Sequence, residues 1–154
     1  MTTTIREQIM TAIVAALGAA GAPAGLTVHR ERTKPIETDS LPAILLYAED
    51  ETPKPWGHSQ YRAPLTERQL TVVLECRAQG SLATPVDAAL DPVYAWAAQR
   101  MFADVSFGGL ANEVEEGRTA WQSKEGDVPV ASCAIHFTVK YRTSRLDPTA
   151  TNTN

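Results

Sequence analysis

Residues Pro129 to Thr143 read PVASCAIHFTVKYRT, and their alternation is unbroken. Ala131, Cys133, Ile135, Phe137, Val139 and Tyr141 fall on one phase, and Ser132, His136, Thr138, Lys140 and Arg142 on the other. Successive side chains of a strand point to opposite faces, so this spacing predicts a strand with one buried side. A sheet that is wet on one side is typically antiparallel, and its dry side needs helices or a second sheet against it. The remaining chain has to supply that cover.

Two segments have the form of covering helices. Thr4, Ile5, Arg6 and Glu7 make a capping box, followed by Ile5, Ile9, Ile13, Ala16, Leu17 and Ala20 at helical spacing, with Gly18, Gly21 and Pro23 as the stop. Arg6 is its only basic residue, so a membrane-surface role is the weaker reading. Thr84, Pro85, Val86 and Asp87 open the second, whose stripe is Val86, Leu90, Val93, Ala97 and Met101. Pro92 lies inside that stripe. The helix either runs on with a bend or starts at Asp91, and the continuous form is the expectation.

Strand signals fill the rest. Leu26 to Arg32 is a short strand, and Lys34 to Ser40 with Pro35 is a connection. Leu41 to Ala48, LPAILLYA, is an apolar run of strand length that begins at a proline. Leu65 to Gln79 alternates again, with Leu70, Val72, Leu74, Cys76 and Ala78 on one phase. Leu110 to Trp121 and Pro129 to Thr143 flank Lys124-Glu125-Gly126-Asp127, a hairpin signal. The predicted fold is α+β, a single domain over 1–143 in the order α-β-β-β-α-β-β, with a mainly antiparallel sheet and both helices on one face. The tail 144–154 has too little apolar content to fold.

Glu49 to Pro64 breaks both periodicities, with three prolines, an acidic cluster and two aromatics. The expectation is an irregular loop over 49–64, mobile in the free subunit and ordered against a partner, because its prolines lack the donors needed to extend the flanking strands. Trp56, His58, Tyr61 and Arg62 are its contact candidates: two aromatic anchors, an imidazole between them, and a guanidinium for a partner's carboxylate. The competing reading has Trp56 and Tyr61 folded back into the core.

At 154 residues and 44% hydrophobic content the chain suits one core. A net charge of -4 argues against a general nucleic-acid binder, though not against a channel through which DNA passes. No apolar run approaches the roughly 20 residues that cross a bilayer, and the start MTTTIREQIM lacks the regions of a secretory signal, so a cytoplasmic protein is expected. Cys76 and Cys133 lie on apolar phases and read as reduced core thiols rather than a disulfide. His29, His58 and His136 have no metal spacing. Helix capping accounts for Asp87 and Asp91, and a solvated strand end for Glu113, Glu115 and Glu116. Nucleotide, hydrolase and metalloprotease motifs are absent, so neither an enzyme nor a cofactor is expected.

The chain resembles the tail terminator family of long-tailed bacteriophages, also called tail completion or minor tail protein U. The likeness rests on the amino-terminal helix entering a short strand, the Leu41-Pro42-Ala43-Ile44 strand start, and WQSKEGDVPVASCAIHFTVKYRTSRLDP from Trp121 to Pro148. Residues 49–64 depart from that layout. The resemblance implies a structural virion protein, assembled in the host cytoplasm into the tail, that closes as a homo-hexameric ring. Such a ring would cap the finished tail tube, end its polymerisation, and offer the surface to which the head-completion or neck protein joins, with DNA only in transit. The alternatives are a head-completion ring protein and, from a different class, a small ligand-binding or enzymatic α+β domain.

Overall fold

The alternation of the last strand becomes alternation in burial. A computed structural model describes residues 2–30, 41–56, 65–124 and 128–151. Its final strand, β5 (Val130–Ser144), buries Ala131, Cys133, Ile135, Phe137, Val139 and Tyr141, while the residues between them keep partial exposure. The preceding elements are α1 (Ile5–Leu17), β1 (Thr27–Arg30), β2 (Ala43–Trp56), β3 (Leu65–Gln79), α2 (Val86–Ala103) and β4 (Glu113–Lys124). The order is the one the periodicities predict.

The five strands lie in the order β1-β2-β3-β5-β4, with β1 parallel to β2 and the other pairs antiparallel. Leu70, Val72, Leu74, Cys76 and Ala78 of β3 stand opposite Val139, Phe137, Ile135, Cys133 and Ala131 of β5. Ile44 and Leu46 of β2 extend the same face. Against it pack Ile5, Ile9, Met10, Ile13 and Leu17 of α1 and Leu90, Val93, Ala97 and Met101 of α2. Each fully buried aliphatic or phenyl side chain contributes roughly 1.5 to 3 kcal/mol, so this one dry layer carries the fold.

The helix ends are tied to the fold by specific bonds. Thr4 is extended and its hydroxyl accepts the Glu7 N–H at 3.2 Å. The Glu7 carboxylate turns to Arg30 of β1, a surface pair worth at most about 1 kcal/mol. At the other end of α1, the carbonyls of Ala16 and Leu17 accept from Arg100 Nε at 3.0 Å and Trp96 Nε1 at 2.9 Å, both on α2. A cation there also complements the helix dipole. Helix α2 continues through Pro92, as expected. Pro92 and Ala88 are both exposed, so water reaches the carbonyl whose bond the proline removes. Gly80, at the turn into α2, is required by close approach: a Cβ there would stand 3.0 to 3.1 Å from Val86 atoms.

Two expectations need correction. Glu49 to Trp56 is not a loop but the second half of β2, paired with β3 from Asp50↔Thr71 to Trp56↔Leu65. Beyond Leu46 no described strand lies on the outer side of β2. Pro53 and Pro55, two residues apart, share one phase, so both missing donors lie on one side of the strand, and an edge strand tolerates proline when that side is the free one. The tail also differs. Ser144 is buried, the Ser144 N–H donates to Ala150 O at 2.8 Å, and Pro148 O accepts from the first amide of α1, Ile5 N, at 3.0 Å. A polar segment is held by backbone bonds rather than by apolar burial.

Cys76 and Cys133 are free, buried and directly opposed across β3 and β5. The hydrogen bond between them and burial together push the Cys76 thiol far above the usual thiol range. Thiol reagent should therefore react slowly with the native protein and count two cysteines on unfolding. Rapid native labelling of either would contradict the phase assigned to its strand.

Candidate functional site

With both helices on one side, the other face of the sheet has no layer of helix or sheet over it among the described residues. Its side chains form transverse rows that follow from the register. Lys54, Glu67 and Arg142 make one row, and Thr52, Gln69, Lys140 and Glu113 the next. Asp50, Thr71, Thr138 and Glu115 follow, then Tyr47, Val73 and His136. Charges of both signs are interleaved. Lys140 Nζ reaches Glu115 at 2.9 Å and Glu113 at 3.2 Å. Its hydrogen bond to Glu115 raises the Lys140 pKa and holds the Glu115 carboxyl below the usual range, so the pair stays ionised across neutral pH. Arg77 and Glu75 pair at 2.7 Å.

His136 is fixed by irregularities on both sides. In β2, Glu49 is an extra residue between the pairs Ala48↔Val72 and Asp50↔Thr71. In β4, Gly117 and Arg118 lie between Glu116↔Phe137 and Thr119↔Ile135, so two residues face His136 alone. Such bulges re-aim side chains. The Glu49 carboxylate comes to 3.3 Å from His136 Nε2, and the Arg118 carbonyl to 3.1 Å from Nδ1. Gly117 is needed because a Cβ there would meet the His136 carbonyl oxygen at 3.0 Å. Although His136 lies on the open phase of β5, its side chain is only 18% exposed.

Trp56 is the candidate contact residue that the structure places, and it is neither a core plug nor part of a loop. Its ring is 43% exposed and lies under the Arg142 guanidinium, 3.7 Å from the ring centroid. The Arg142 Nε is buried without a hydrogen-bond acceptor among the described residues, the nearest Glu67 oxygen lying 3.9 Å away. Stacking thus holds a planar cation whose Nε has no acceptor among the described residues. His58, Tyr61 and Arg62 lie outside the described residues. Sequence reasoning placed Arg142 on the polar phase of the last strand but missed its partner, because the stack depends on β2 reaching Trp56.

On the helix side, the same end of the sheet carries a second polar group. The Tyr141 hydroxyl donates to Glu51, and Arg68 bridges Glu51 at 3.3 Å and the Thr143 hydroxyl at 3.0 Å. Burial and the bond to Glu51 push the Tyr141 hydroxyl well above the usual phenol range, so it serves as a donor and not as a base. Among the described residues no three His, Cys, Asp or Glu side chains gather as a metal site, and no helix is long and apolar enough to cross a membrane. What the arrangement offers is a patterned polar surface of interleaved charges. No protein-family model matches the chain, and no curated protein matches it.

Replacing Trp56 by alanine should lower stability by no more than about 1 kcal/mol, the worth of an exposed cation–π stack. A change in melting temperature matching the roughly 3 to 5 kcal/mol cost of truncating a buried aromatic would instead place Trp56 in the core.

Proposed function

We propose that this chain is a structural subunit of a phage tail, closing as a ring, of six copies in the family it resembles, on the end of the finished tail tube. The observation that carries the reading is the sheet dry on one face only. Its open face is ordered by ion pairs and bulges rather than by packing, which suits a wet contact with a neighbouring protein. The resemblance over Trp121 to Pro148 supplies the particular assembly. The interleaved charges of the open face also suit a channel that lets DNA pass, since a surface that grips DNA is lined with lysine and arginine. In this reading the tail tube protein and a head-completion or neck protein are the partners, and the chain carries out no reaction and uses no cofactor.

Light scattering on the purified chain, alone and with assembled tail tube, tests this. A ring mass in the presence of tube, together with arrested tube growth, is the expected result. A chain that neither closes nor binds tube at high concentration would contradict it. So would a turnover abolished by replacing His58 or Asp87.

A further inference from the structure

The ladder between β3 and β5 brings the two cysteines of the chain together. Cys76 and Cys133 are directly opposed on the dry face, at 0% and 1% exposure. The kind of pair they make follows from a backbone bond farther along. Gly80 N–H donates to the Pro129 carbonyl at 3.0 Å, one place beyond Gln79↔Val130, and the register runs from there to the cysteines without a shift. Hydrogen-bonded and non-hydrogen-bonded pairs alternate along an antiparallel ladder, so Ala78↔Ala131 and then Cys76↔Cys133 are hydrogen-bonded pairs. The Cα atoms of such a pair lie about 5.5 Å apart, at the commonest separation of disulfide-bonded cysteines. The two thiols already share a hydrogen bond.

We propose that Cys76 and Cys133 form a latent redox pair, a dithiol while the chain is kept reduced, which a low-molecular-weight disulfide such as oxidised glutathione closes to a cross-strand disulfide. One thiolate attacks a sulfur of the oxidant and displaces a first glutathione. The second thiolate then displaces the other glutathione from the mixed disulfide. The oxidant's S–S bond breaks, the Cys76–Cys133 S–S bond forms, and the two thiol protons end on two molecules of reduced glutathione. The ladder holds the second thiol beside the first, so closure needs side-chain rotation and no change of register. Among the described residues no third His, Cys, Asp or Glu gathers with the pair, so a shared metal ion does not fit it.

Position and chemistry assign the order of attack. Cys133 faces Trp121 across β5 and the outermost strand β4, and Trp121 is 57% exposed. Opening of that edge strand uncovers Cys133 while β3 and β5 stay paired. The hydrogen bond that raises the Cys76 thiol also lowers that of Cys133, which favours Cys133 as the first thiolate. Cys76, one strand deeper, is then the resolving thiol. The closed bond ties the two central strands to each other and encloses α2 and β4, which lie between the cysteines in the sequence. This pair is independent of the ring reading, since it lies under the helices and not on the open face.

Glutathione buffers of graded oxidised-to-reduced ratio test the pair in the full chain, with acid quenching, mass measurement and thiol counting after unfolding. Refolding the reduced chain in each buffer removes access of the oxidant as a limit. A fold that holds the thiols together favours the bond to the degree that the bond favours the fold. The folded chain should therefore lose both thiols and two hydrogens, as a monomer, at a ratio at least about tenfold lower than the chain in denaturant. Closure at equal ratios in the two states, two thiols retained, or a glutathione adduct as the end product would overturn the proposal. Cys76→Ala supplies the control: oxidation should raise the melting temperature of the parent chain by several degrees and leave that of the variant unchanged. An equal rise in both would overturn it as well.

Discussion

The ladder between β3 and β5 is the constraint on which the rest depends. These two 15-residue strands pair along their whole length, from Leu65↔Ser144 to Gln79↔Val130. Because both alternate, Val73 being the one buried residue on the opposite phase of β3, a slip of one residue would turn Leu70, Val72, Leu74, Ile135, Phe137 and Val139 out to water together. That loss, at roughly 1.5 to 3 kcal/mol per side chain, is as large as the whole stability of an ordinary domain, which fixes the register. The helices then have one place to go. α1 and α2 cover the dry phase, and Arg100 and Trp96 of α2 satisfy the last carbonyls of α1, coupling the two as one layer.

The opposite phase follows from the same register. Glutamate, lysine, arginine and threonine occupy most of it, beside Leu45, Tyr47 and the buried Val73, and the ladder brings Lys140 to Glu113 and Glu115, and Arg142 over Trp56. Irregularity is confined to where it places something. Glu49 and the Gly117-Arg118 pair each add a residue to a strand, and both added segments end on His136. The result is a surface ordered by ion pairs and bulges in water, the feature on which the proposed assembly role rests.

Much of this was legible in the residues. The alternation of Leu65 to Gln79 and of Pro129 to Thr143 predicted both central strands, and the Thr4 cap predicted the first helix. The misreading of Glu49 to Trp56 has a physical cause: proline forbids a ladder bond only on the side its nitrogen faces, and whether that side is occupied depends on where β1 ends. Sequence spacing carries no such information. The tail was misread for a related reason, since its anchorage through Pro148 O and Ala150 O uses backbone groups that every residue possesses. Trp56 was picked out as a large aromatic among prolines, yet its partner Arg142 lies on the last strand, two strands away in the sheet, and only the register brings them together.

The sheet has one dry and one open face, and in the proposed reading the open one meets a partner. Single cysteines along β5 read it directly through native labelling rates. Ser132→Cys and Thr138→Cys should label readily in the free protein and become protected on assembled tail tube, while the native Cys133 and an introduced Val139→Cys stay unreactive in both states. Equal labelling along the two phases, or open-face rates unchanged by the tube, would contradict the account.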